Sequence, residues 1–343
     1  MAFGGILFAA GITLFVAAHW AELSPGSRYS LLLLTLAILH GGGAALAQHF
    51  PVFSTTLHGL GTAALGPAIF LTAQIFNLHE NWATGVLLWS LGAAVGVALL
   101  RDWVQVVLLA ILVPVWLISE WMVTAQNYYS YQAPLTCGLV LTALTYLSAR
   151  MGEQESYARR ALVWVGSIAL LPCAAVAVFV MMEERVAVSQ PGLPFSTLVL
   201  AWVITLIAPL LLGFLLRGKR VWINMLWAVW AYALTIAARW AHYGFFEPDR
   251  HGRGIFPNLL LYCICAIGGV GLVAWGLHEK RKERVNLGIA AFAISLLFFY
   301  FDSFMGKLGR SFSLLLLGVL CLAGGYALEM TRRKLLLRMV SSP

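Results

Sequence analysis

Charge is scarce in this chain. Asp, Glu, Lys and Arg together make up 10% of its 343 residues, while 61% are hydrophobic and the mean hydropathy is +0.86. Soluble domains carry about 25% charged residues, so an ordinary soluble enzyme and a disordered chain are both excluded. Cysteine is scarce too. The five present, Cys137, Cys173, Cys263, Cys265 and Cys321, lie inside apolar runs and form no C-x-x-C or zinc spacing. They read as small hydrophobes with free thiols, which excludes a disulfide scaffold. There is no GxGxxG, P-loop or GxSxG motif, and the glycine runs lie in apolar stretches, where a phosphate cradle makes no sense. No cofactor is expected. The centres of the apolar runs hold hydroxyls such as Thr62, Ser90 and Thr205, with His40 as the one titratable group near a midplane. Proton-coupled pumps usually keep an acid or base at that depth. The pattern argues against that class and leaves channels, facilitators and lipid-handling proteins.

What the chain does have is twelve apolar runs: 3–20, 29–48, 54–76, 82–100, 103–123, 133–149, 161–182, 195–216, 221–240, 256–277, 285–304 and 312–328. About 20 apolar residues cross a bilayer core. The expected fold is therefore all-α: a polytopic helical membrane protein of about twelve transmembrane helices, forming a single integral membrane domain over 1–343 with no soluble domain. The first run lacks a basic n-region and an A-x-A cleavage site, so it reads as a span rather than a signal peptide. Arg101-Asp102, between the fourth and fifth runs, reads as a tight turn because charge at depth is costly. Pro114, Pro172, Pro209 and Gly66-Pro67 are expected to kink their helices.

Basic residues set the expected orientation. With even-numbered span ends inside, the inner side holds 15 of the 22 Lys and Arg against 6 acids, and the outer side 7 against 8. A balance of +9 inside and −1 outside places both termini in the cytoplasm. The overall charge of +8 is then a topology signal, and no nucleic-acid partner is expected.

Polar chemistry collects at the outer span ends. His19 and Glu22 lie three apart, as do Gln74 and Asn77, so each pair would share a helical face. Glu120, Arg239 and Asp302 sit near the outer ends of their runs. These seven residues form the candidate substrate-binding set, expected to converge on one outer pocket. Interfacial anchoring by Trp, Tyr and charged groups is the competing structural reading. His19, Glu22, His79 and Glu80 have zinc-ligand chemistry, but they come from two loops without an HExxH-like spacing, and no metal is expected. Arg239, Arg250 and Arg253 suit an oxyanion, against a structural salt bridge from Arg239 to Asp302 or Glu120. Gly41-Gly42-Gly43 permits close helix approach.

Three segments carry a family resemblance: GITLFVAAHWAELSPGSR at 11–28, GPAIFLTAQIFNLHENW at 66–82 and LLWSLGA at 87–93. RVNLGIAAFAISLLFFYFDSF at 284–304 adds a fourth. With them the chain resembles the uncharacterised bacterial predicted-membrane-protein family known as domain of unknown function 2157. The resemblance implies a multi-pass protein of the bacterial inner membrane and transfers no catalytic residue. Members of that family often have a cytoplasmic helical segment ahead of the first span, whereas this sequence starts at the span.

These observations lead to an expectation of transport or flipping of an amphiphilic or anionic substrate through an outward-facing cavity. The alternatives are a membrane-embedded enzyme acting on a lipid-linked substrate at the outer leaflet, and a structural subunit of a membrane complex. The expected partners are membrane lipids, with a membrane-protein partner or a second copy of the chain left open.

Overall fold

A computed structural model describes residues 22–78, 81–125, 132–149, 156–183, 193–243, 255–303 and 310–341. Among them are eleven α-helices and no strand. The run at 3–20 lies outside the described residues. The helices cluster into two compact units, 1–124 and 125–343. Unit 1 contains α1 (Pro25–Leu46), α2 (Pro51–Ile75), α3 (Trp82–Leu100) and α4 (Trp103–Ala125). Unit 2 contains α5 (Ala133–Leu147), α6 (Tyr157–Glu183), α7 (Phe195–Arg217), α8 (Trp222–Tyr243), α9 (Ile255–His278), α10 (Lys282–Ser303) and α11 (Arg310–Ser341).

Eight stretches are long and apolar enough to cross a membrane, and one of them, Phe195–Ala238, runs 44 residues through both α7 and α8. A 3-10 turn over Gly218–Val221 separates those two helices. Large side chains such as Leu34, Val52, Leu99, Phe179 and Leu215 are exposed on these helices, as expected of faces that meet lipid. Helices run unbroken through Pro67, Pro114, Pro172 and Pro209. All five cysteines are free.

Local chemistry sets the helix ends. Ser24 caps α1 by accepting the Ser27 N–H at 3.2 Å, with Pro25 in the first turn where its missing N–H costs nothing. The turn expected at Arg101-Asp102 is there. Arg101 ends α3 in a left-handed conformation (φ 53°), and the Asp102 carboxylate accepts the Gln105 N–H at 2.9 Å to start α4.

In unit 1, α1 and α2 form an antiparallel hairpin drawn close by glycine. His40 and His58 meet across it, with Nδ1 atoms 3.2 Å apart. A Cβ on Gly43 would fall 2.9 Å from the His58 ring, and one on Gly61 would fall 2.6 Å from the His40 ring. Trp89 of α3 lies over Gly66 and donates its indole N–H to the Thr62 carbonyl at 2.7 Å.

Unit 2 is organised around α5. Twelve of its fifteen residues are buried, the pattern of a helix enclosed on all sides. Its core residues Val140, Leu141 and Leu144 pack in one cluster with Leu170, Trp227 and Leu272. The helix is short: fifteen residues span about 22 Å, less than the ~30 Å of a bilayer core, so its terminal carbonyls need partners within the protein. Three arginines supply them. Arg284 donates to the Leu147 carbonyl at 3.1 Å, Arg217 to that of Ser148 at 3.3 Å, and Arg159 to that of Ala149 at 3.4 Å.

Candidate functional site

A polar-rimmed cavity lies in unit 1, a cleft of about 850 Å³ walled by α1, α2 and α3. Its rim carries Tyr29, Gln74, Asn77 and Asn81, and its floor is formed by Leu36 and Leu65. Helix-end geometry builds the rim. The N–H groups of Asn77 and Leu78 return to the carbonyls of Gln74 (3.4 Å) and Ala73 (2.9 Å), and Asn77 sits at φ 50°. This is a Schellman closure with asparagine in the left-handed position, the commonest choice there after glycine. Asn81 caps α3 by accepting the Ala83 N–H at 3.4 Å. The Tyr29 and Phe76 rings meet edge to face at 5.5 Å.

The sequence set is thereby placed in part. Gln74 and Asn77 do come together on one cleft, but not as two residues on a helical face. The helix stops at Ile75, and the left-handed turn at Asn77 re-aims that side chain. Glu22 and Glu120 are exposed and do not line the cleft. His19 lies outside the described residues, as do His79, Glu80, Arg250 and Arg253. Arg239 and Asp302 lie near the ends of α8 and α10, with side chains outside those described. No group of three or more His, Cys, Asp and Glu able to hold a metal occurs among the described residues.

A second cavity, about 720 Å³, lies in unit 2 and is lined by apolar groups such as Leu171, Phe179, Trp230 and Phe298. Its Ser295 hydroxyl is spent on the Ala291 carbonyl at 2.8 Å, and the Trp230 indole on that of Ile264 at 2.9 Å.

The strongest electrostatic feature among the described residues is not legible in the sequence. Glu279, just past α9, pairs with both Arg217 and Arg284, and accepts the Trp275 indole N–H at 2.8 Å. The Arg284 guanidinium stacks 3.9 Å over the Trp275 ring. Burial alone would raise the Glu279 pKa. The Arg284 charge and the hydrogen bonds from Arg217, Arg284 and Trp275 outweigh burial and hold it below the ordinary carboxylate range. Asn224 joins from α8, donating to Thr145 Oγ1 at 3.3 Å and Ser148 Oγ at 3.1 Å. A sequence signal did exist: Arg217 and Arg284 flank apolar runs and were counted only as loop charges. Arg217 and Arg284 each donate both to Glu279 and to a carbonyl at the end of α5, so the cluster reads as a structural clasp, in which the buried Arg217 Nε finds no acceptor.

Helices long and apolar enough to span a bilayer, with apolar side chains turned outward, define a multi-pass helical membrane protein. The family model described as Predicted membrane protein (DUF2157) matches residues 1–106. That region holds the whole cleft and three of the four resemblance segments. No curated protein and no solved structure matches the chain.

Proposed function

We propose that the unit 1 cleft binds an amphiphile, and that the protein moves such a molecule, or transfers it between leaflets, from the outer side of a bacterial inner membrane. The observation that carries this reading is the division of the cleft into an amide-bearing rim and a leucine floor. Amides and a phenol hydrogen-bond hydroxyl, phosphate or carbonyl oxygens, and the floor suits an acyl chain. A volume of about 850 Å³ is adequate for a headgroup and part of its tail. The described lining holds no carboxylate, imidazole or cation, which favours hydrogen-bonded recognition of an amphiphile over tight ionic capture of an anion or hydrolytic chemistry.

The topology that goes with this reading is twelve spans with both termini cytoplasmic, which puts the Asn77 end of α2 outside. The +9 to −1 charge division supports it. His19, Glu22, Glu120, Arg239 and Asp302 belong to the same proposed outer layer.

Two experiments test the reading. Native mass spectrometry of the purified chain should detect a retained lipid, and Gln74→Leu should abolish retention while leaving the melting temperature unchanged. A wild-type chain free of lipid, or a Gln74→Leu chain that keeps it, counts against the cleft. Ser342→Cys and Ser189→Cys labelled in intact cells test the topology, with only Ser189→Cys expected to react from outside.

A further inference from the structure

His40 and His58 reach the same depth by independent routes. His40 lies six residues before the end of α1 at Leu46, and His58 seven residues after the start of α2 at Pro51. At ~1.5 Å per residue both stand about 10 Å from the turn joining the helices. The rings meet there with Nδ1 atoms 3.2 Å apart and centroids 5.5 Å apart. Each ring is received by a glycine of the opposite helix: His58 by Gly43, and His40 by Gly61. The Ser54 hydroxyl, one turn from His58, donates to the Gly43 carbonyl at 2.7 Å and ties the two backbones together. His58 is buried and His40 half-buried.

This arrangement dictates the protonation chemistry. Two Nδ1 atoms at that separation need one hydrogen between them, so one ring carries its proton on Nδ1 and the other on Nε2. One further proton, added at the free Nε2 of the first ring, makes it an imidazolium whose Nδ1–H bond to its neutral neighbour becomes charge-assisted. A second added proton would leave two donors facing each other and two cations in contact. We infer that His40 and His58 form a single-proton site inside the α1–α2 hairpin. The pair can also pass that proton on. The proton enters at one Nε2, the shared hydrogen crosses between the Nδ1 atoms, and the proton on the other Nε2 leaves. One proton has entered and one has left, with the tautomers exchanged.

Among the described residues, few other ionisable groups surround the pair. Helix α2 has no other ionisable side chain, and α3 has none. Helix α1 carries Arg28 and Tyr29 at its far end. Helix α4 reaches α2 through Val104, which packs on Gly59. The ionisable groups at its near end are Arg101, which is exposed, and Asp102, which is engaged with the Gln105 N–H; Glu120 is exposed towards its far end. His49 is exposed in the α1–α2 turn. Two imidazole nitrogens at 3.2 Å would also fit two corners of a tetrahedral metal. No third ligand completes such a site among the described residues, which favours the proton. The inference stands apart from the amphiphile reading. His40 is thus not the one titratable group at its depth, since His58 meets it there.

The test is imidazole nitrogen NMR on the full chain in lipid nanodiscs, labelled with 15N at its eight histidines and titrated from about pH 8 to about pH 4. Resonances are assigned with His40→Gln and His58→Gln. The wild type should show a coupling between the two Nδ1 nuclei through their hydrogen. It should take up one proton per pair rather than two. In His58→Gln, His40 should titrate in one step with the coupling gone. Independent titration of the two rings in the wild type would overturn the proposal, as would neutrality of both down to the lowest pH. A coupling that appears only after chelator treatment and is abolished again by zinc would make this a metal site and overturn it equally. The wild-type measurements need no variant to fold.

Discussion

In unit 1 the buried polar groups are neutral and local: a hydroxyl on a carbonyl at Ser54, an indole on a carbonyl at Trp89, and two imidazoles meeting nitrogen to nitrogen at His40 and His58. In unit 2, beside neutral groups such as Asn224 and Thr145, charged ones gather from distant parts of the chain, with Arg217, Glu279 and Arg284 closing on the end of α5. The difference is one of consequence. Neutral pairs can be rearranged at a cost of about 1 kcal/mol each. A buried charge cluster that loses one member leaves an uncompensated ion, at about 3–5 kcal/mol. Unit 1 therefore has the chemistry of a part that can change state, and unit 2 that of a part held fixed.

The largest expected effect breaks the contrast on the unit 2 side. Glu279→Gln leaves two buried guanidinium groups without a counter-charge and should cost about 3–5 kcal/mol, read as a collapse of the melting temperature in detergent. Acid should act in the same direction. The folded pKa of Glu279 lies below the ordinary 4.5, so its contribution is complete above that value and is lost as pH falls through the folded pKa. Thermal stability should stay level from about pH 8 to about pH 5 as far as Glu279 contributes, then drop as the carboxylate protonates. In unit 1, Gly61→Ala sets a methyl 2.6 Å from the His40 ring and should cost about 1–3 kcal/mol, with loss of the coupling between the two imidazoles. Asn77→Ala should cost about 1–2 kcal/mol for its left-handed backbone, whereas Asn77→Gly should be close to neutral. Comparing the two melts separates the turn from the cleft. Smallest of all, mass-shift counting under denaturing, non-reducing conditions should find five alkylable thiols, with no change in stability for Cys263→Ser on the exposed face of α9.

Helix boundaries were legible in the sequence where local chemistry sets them. The fourth run and α3 share the same limits, Trp82–Leu100, because Asn81 caps one end and the Arg101-Asp102 turn closes the other. The expected run at 312–328 fell short of α11, which continues to Ser341. There the apolar pattern fades while the helix is extended by pairs such as Glu329 with Arg332 and Arg333. Which faces meet was not legible. Helices apolar on both the lipid side and the protein side give no periodic cue to their inward face, so neither the pairing of His40 with His58 nor the closure of Arg217 on Glu279 could be read. Gln74 and Asn77 were recognised as neighbours through helical spacing, but the geometry that joins them is a left-handed turn.

The short α5 has a consequence for how the chain is made. Leu147 waits for Arg284, 137 residues further along. At a synthesis rate of about 5–20 residues per second, that is an interval on the order of ten seconds. During it the Leu147 carbonyl lacks its guanidinium partner, although Arg159 and Arg217 already exist, so α5 can rest at the membrane surface or beside the insertion machinery until Arg284 emerges. Cys137, buried in the finished unit, reports on that interval. In ribosome-bound chains stalled before Arg284 it should react with a soluble maleimide, and in released full-length chains it should not. Equal protection in both would mean that α5 is seated before Arg284 exists.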